Sequence, residues 1–229
     1  MKLAIMQPYF MPYIGYWQLM NAVDTYVVYD DVNYINRGWI NRNNILISGS
    51  SYMFTIMLKK ASQNKLINEI EILDDFSKLK KQIEFAYKKA PYYDRIIVLL
   101  NKIFDYPNKN LSDFLLNSMR VICEYLNINT TLIKSSDVKK DNTLHAESKI
   151  LDICKVLKAD EYYNAIGGQS LYNKDEFKTS GIDLKFLKPE IMPYKQFKND
   201  FVAGLSMIDV LMFNSVDEIN MMLDRYELV

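Results

Sequence analysis

A Rossmann-like α/β fold with a mainly parallel sheet is predicted by three features of the chain. Residues 2–7 (KLAIMQ) are apolar enough for a buried strand, residues 14–23 carry apolar side chains at near-helical spacing, and residues 24–30 (DTYVVYD) read as a second buried strand. Strand, helix and strand in that order imply a right-handed crossover between parallel neighbours. The alternation returns later, where strand-like residues 130–135 and 161–165 flank a helical pattern at 146–157, and residues 184–187 give a last strand.

Each element has a local reason. Pro8 and Pro12 forbid a helix or a sheet ladder from continuing past the first strand, so the chain turns there. Residues 39–47 and 52–58 alternate around the turn Ser48-Gly49-Ser50-Ser51 and read as a β-hairpin insertion. Residues 67–73 (INEIEIL) read as another, half-exposed strand. Helical spacing then runs through residues 76–89, from Tyr92 or Asp94 to Phe104 after Pro91, and 111–126, the last introduced by Asn110 and Ser112 as candidate caps. This helical block, residues 76–126, is either scaffold within one α/β domain spanning 1–229 or a separate lobe over one side of the site. Helices at 206–213 and 216–226 close the chain.

Composition narrows the function classes. Basic and acidic residues balance at 28 each, which removes the bulk attraction a nucleic-acid or anionic-membrane binder shows. No apolar run is long enough to insert in a membrane and none resembles a signal segment, so a cytoplasmic location is expected. Cys123 and Cys154 lie in helical patterns without metal-ligand spacing, and are read as reduced core thiols; no metal is expected.

In open parallel sheets the ligand crevice lies at the carboxyl ends of the strands. The first such end offers Gln7, the phenols of Tyr9, Tyr13 and Tyr16, and Gly15, where a backbone can approach a ligand closely. The second offers Asp30 and Asp31, followed by Trp39, Asn41 and Arg42. The Arg42 fork suits a phosphate or a carboxylate, or else a salt bridge to Asp30 or Asp31. Lys60, in a polar loop, is a further candidate for phosphate, and Gly167-Gly168 after the strand at 161–165 is a second place where backbone amides can cradle an anion. Asp209 either caps a helix with Ser206 or faces the crevice. His145 is the chain's single histidine and the one side chain whose ordinary pKa lies near neutrality, which makes it the candidate base, with Asp30 or Asp31 as alternatives.

Several stretches together resemble the WbqC-like family over essentially the whole length: MQPYFMPYIGY, YDDVNYINRGWINRN, YYNAIGG at 162–168, and Tyr194-Lys195-Gln196 with Leu205-Ser206-Met207-Ile208-Asp209. The resemblance implies a place in bacterial O-antigen, lipopolysaccharide or other surface-polysaccharide biosynthesis. Transfer of an acetyl group or an amino acid such as glycine to a nucleotide-linked amino sugar is among the roles it suggests. The donor would be an acyl-CoA such as acetyl-CoA, or ATP plus an amino acid. A non-catalytic nucleotide-sugar-binding component and a nucleotidyltransferase are the alternatives, and a homodimer is an assembly left open. Tyr13-Ile14-Gly15-Tyr16 is also distantly similar to the His-x-Gly-His element of nucleotidylyltransferases, with tyrosine at both histidine positions. Tyrosine carries no positive charge at neutral pH, so this likeness implies a nucleotide-shaped pocket rather than adenylyl transfer.

Overall fold

A computed structural model describes residues 1–229. The opening unit is β1 (Lys2–Met6), α1 (Ile14–Asn21) and β2 (Thr25–Val28). Residues 14 to 20 of α1 are all buried, so the helix has no solvent face. The hairpin follows as β3 (Arg42–Ile47) and β4 (Ser50–Thr55). Its turn is tighter than the sequence suggests: Ser48 and Gly49 both take positive φ, 51° and 77°, the two-residue geometry whose twist suits antiparallel strands.

Residues 67–73 are not one strand. Ile67–Glu69 is a turn of 3-10 helix, and only β6 (Glu71–Ile72) pairs, antiparallel, with β5 (Leu58–Lys59). Tertiary bonds set this local shape: the Asn110 side chain donates to the Asn68 carbonyl (2.7 Å), while the amides of Ile67 and Asn68 donate to the carbonyls of Val32 and Asp30. Then come α2 (Ser77–Tyr87), α3 (Tyr93–Phe104) and α4 (Leu111–Leu126). Asn110 caps α4 by accepting the Asp113 amide.

The chain returns to the sheet as β7 (Thr131–Lys134), crosses by α5 (Ala146–Val156) to β8 (Glu161–Ala165), and by α6 (Lys174–Thr179) to β9 (Asp183–Pro189). It ends in α7 (Met207–Phe213), α8 (Val216–Leu223) and β10 (Tyr226–Leu228). Both α6 and β10 are short and escape periodicity; β10 is an antiparallel edge strand pairing with β9.

The central sheet has the order β7-β2-β1-β8-β9-β10, parallel except at β10. Renumbered along the chain this is the 3-2-1-4-5-6 order of Rossmann folds, with its switch point between β1 and β8. Alternate residues face opposite layers, as a pleated strand buried on both sides requires. Ala4, Tyr26, Val28 and Tyr163 join the core shared with α1, α4, α7 and α8, while Leu3, Ile5, Val27 and Tyr162 pack on α5 and α6. The helical block belongs to the first of these cores: Phe76 stacks between Phe104 and Phe114, each with centroids 5.1 Å away. No helix is long and apolar enough to cross a membrane.

A cationic crevice at the carboxyl ends of the strands

The loop between β1 and α1 is bound into the scaffold along most of its length. Phe10 inserts into the helical block, 5.5 Å from the Phe114 ring, and its amide donates to the Ile40 carbonyl. Asn43 donates to the carbonyls of Phe10 and Met11, the Met207 amide to those of Met11 and Pro12, and the Trp17 indole to that of Pro12. Tyr16 is buried and donates its hydroxyl to the Gln7 carbonyl (2.9 Å); burial pushes its pKa well up. Gly15 meets a neighbour of its own, because a Cβ there would lie 2.5 Å from the Tyr13 ring. Gln7 and Tyr9 are half-buried and Tyr13 is exposed, so these three are the members of the predicted cluster with solvent access.

The two aspartates after β2 diverge. Asp30 is wholly buried and accepts from Ser112 at the start of α4 (2.8 Å) and from the amide and hydroxyl of Ser136 (3.0 and 2.9 Å). It fastens the helical block to the end of β7. Asp31 turns the other way, into a cavity of about 490 Å³ lined by Tyr29, Ser136, Lys140, His145 and Lys149 among others. Its Oδ2 takes the ammonium groups of Lys140 (2.7 Å) and Lys149 (3.3 Å). Burial pushes the Asp31 carboxyl up, but the close Lys140 ammonium and the charge of Lys149 outweigh it and hold the acid below its ordinary value. A carboxylate so held is a poor proton acceptor. Burial, then the charge of Asp31, push the Tyr29 phenol up to about 12.

His145 opens onto the same cavity from the residue preceding α5 and does not cap that helix. Thus the structure brings Asp31 and His145 together and sends Asp30 elsewhere. Other candidates lie apart from this cavity. Arg42 sits 5.6 Å over the Trp39 ring and donates Nε to the Gly38 carbonyl. Asn41 is buried between the Tyr34 hydroxyl and the Ile56 carbonyl. Lys60 is exposed, as is Gly167, whereas Gly168 packs so closely on Asn164 that a Cβ would lie 3.1 Å from its amide. Asp209 neither closes a capping box nor reaches a crevice: it is wholly buried and accepts from Tyr87 (2.8 Å), Tyr194 (2.6 Å) and Gln196 (2.7 Å). Ser206 caps α7 alone, accepting the Ile208 amide.

A larger depression, about 840 Å³, runs between the hairpin turn, α2 and Phe197. None of its lining comes from the central sheet, and its carboxylate, Glu84, is paired with Lys88 at 3.0 Å. The chemistry therefore points to the smaller cavity. Cys123 and Cys154 are buried free thiols that desolvation pushes up to about 12, which makes neither a nucleophile. No three His, Cys, Asp or Glu side chains stand close enough to hold a metal ion.

A family model described as WbqC-like protein family matches residues 7–221. The chain belongs to the WbqC-like family. A Mycobacterium tuberculosis (strain ATCC 25618 / H37Rv) protein described as uncharacterized protein Rv1507c is 29% identical to it over 216 residues, 92% of each chain. No solved structure matches it.

Reading the sequence of this WbqC-like protein leaves out Lys140, Lys149 and Tyr29. Lys149 had a visible signal: it precedes Ile150 on the face of α5 that also carries Ile153 and Cys154, where a lysine is out of place unless paired. Lys140 had none, because it lies in a polar stretch and its burial depends on Asp31 from another part of the chain.

Proposed function

We propose that this WbqC-like protein is an N-acyltransferase that joins an acetyl or aminoacyl group, such as glycyl, to a nucleotide-linked amino sugar in bacterial surface-polysaccharide biosynthesis. One observation carries the reading. The chain's single imidazole opens, beside two ammonium groups, onto a cavity at the carboxyl ends of parallel strands. An amine attacking an acyl carbonyl needs a base near neutral pKa, and an anionic nucleotide needs cations to hold it. In the proposed reaction the sugar nitrogen forms a bond to the acyl carbon and His145 takes the proton lost from nitrogen. From acetyl-CoA the thiolate departs and is protonated to coenzyme A, whereas with ATP the amino acid is first joined to AMP with release of pyrophosphate and AMP then departs. Asp31 fixes the lysines rather than taking the proton.

The test is to incubate the full chain with a panel of nucleotide-linked amino sugars, with acetyl-CoA or with ATP plus glycine, and to look for the new amide by mass spectrometry. Product with one pair supports the reading. Saturable sugar-nucleotide binding without product across the panel favours a non-catalytic binding component, and pyrophosphate release from a nucleoside triphosphate with a sugar phosphate favours a nucleotidyltransferase.

A further inference from the structure

The acyl-transfer reading sets two ammonium groups beside the imidazole but does not say which donors touch the phosphates of the nucleotide. We propose that Lys149 and the free amides at the start of α5 form a diphosphate subsite in the Asp31 cavity, with the charge of buried Lys140 behind them. This rests on that cavity being the substrate site, and it replaces Arg42 and Lys60 as the groups that meet phosphate.

The argument begins with charge. The Lys140 and Lys149 side chains are only 1% and 11% exposed, yet both ammonium groups converge on one oxygen of one carboxylate, Asp31. Two cations share one carboxylate at the wall of a cavity, an arrangement that an incoming anion stabilises. Lys140 is well satisfied, since it also donates to the Ser135 carbonyl. Lys149 is not: its two contacts, to the carbonyl and the carboxylate of Asp31, are both long at 3.3 Å. An ammonium has three donors, so at least one of those on Lys149 is free. The group lies 5.4 Å from the centre of the Tyr29 ring, another residue lining the cavity.

The helix adds to the lysines. Lys149 lies in the first turn of α5, and His145 precedes that helix in an extended conformation. Both line the cavity, and so does Ala146. No side chain caps α5, and the amides of Ala146, Glu147 and Ser148 have no acceptor within the protein. Free amides at a helix start together with a lysine are the donor set that phosphate oxygens take. A volume of about 490 Å³ holds more than one phosphate and suits a nucleoside diphosphate. Arg42, by contrast, is stacked on Trp39 and does not line this space.

The experiment is calorimetric titration of the full chain with inorganic pyrophosphate and with uridine diphosphate, paired with amide chemical shifts of residues 146–148. Expected are saturable binding of both probes, perturbation of those amides by pyrophosphate, and at least a tenfold loss of affinity in Lys149→Gln. Lys88→Gln, in the other depression, leaves affinity unchanged. Lys140 is nearly sealed and its replacement disturbs the Asp31 pair itself, so the decision rests on Lys149 and on the amide shifts. Absence of saturable binding by the wild-type chain, or equal affinity in Lys149→Gln, overturns the subsite. If Lys149→Gln transfers acyl groups with unchanged KM, the subsite is wrong and the transferase reading stands. If pyrophosphate binds as expected but no acceptor is ever acylated, the subsite stands and the transferase reading falls.

Discussion

Tyr87→Phe should unfold this protein more easily by an amount the structure lets one estimate. The hydroxyl at the end of α2 donates to Asp209 Oδ1 and accepts the Leu46 amide of β3, both at 2.8 Å. Both partners are sealed, Asp209 at 0% and Leu46 at 2% exposure, so water cannot take over. Deleting one oxygen strands a backbone donor and a carboxylate lone pair, each costing roughly 1–3 kcal/mol, for a total of about 3 kcal/mol. In a chain of this size that lowers the melting temperature by about 6–12 °C. Tyr194→Phe is the internal comparison. Its ring is half-buried and its acceptor oxygen keeps Gln196, so the loss should be about 1 kcal/mol.

The pH dependence adds a second reading. Burial raises the Asp209 pKa, and the bonds from Tyr194, Tyr87 and Gln196 pull against that. Removing one donor raises the folded pKa further. The cost of keeping Asp209 charged appears as pH rises above its unfolded pKa, so the Tyr87→Phe deficit should be larger at pH 7 than at pH 4. Urea unfolding followed by circular dichroism and tryptophan fluorescence measures both. A deficit below about 1 kcal/mol, or one equal to that of Tyr194→Phe, would refute the claim that this buried network joins β3, α2 and α7.

Three further outcomes are expected. His145→Asn lowers the acyl-transfer turnover roughly a hundredfold or more with little change in melting temperature, and unchanged kinetics remove it as the base. Asp31, whose folded pKa is depressed, stabilises fully above its unfolded pKa and loses that contribution as pH falls through the folded value. Asp31→Asn should therefore lower stability at neutral pH and flatten the acid limb below about pH 4, as acid titration of unfolding would reveal. Gly15→Ala forces the Tyr13 ring off the start of α1, which masks the helix-propensity gain of up to about 1 kcal/mol; that gain should emerge in a Tyr13→Ser background, and strict additivity in the double-mutant cycle would show that the ring has no hold there.

The layered α/β architecture was legible because buried strands and amphipathic helices carry their period in the chain itself. The boundaries of β8 coincide with the strand read at 161–165, and α5 starts where the helical pattern does. So was the importance of the turn after β1, since prolines constrain φ wherever they stand. Sequence alone did not decide what that turn is for. Pro8 and Pro12 bend the chain so that Phe10 enters the helical block and the loop carbonyls bind Asn43, Trp17 and Met207. Adjacent aspartates are alike in composition, yet Asp30 anchors α4 and Asp31 holds two lysines more than 100 residues away. Burial and pairing are properties of contacts between distant segments, and no local pattern encodes which of two neighbouring carboxylates will find cations. For that reason the strands and helices can be read along the chain, whereas the cluster of Asp31, Lys140, His145 and Lys149 exists only once the sheet has assembled.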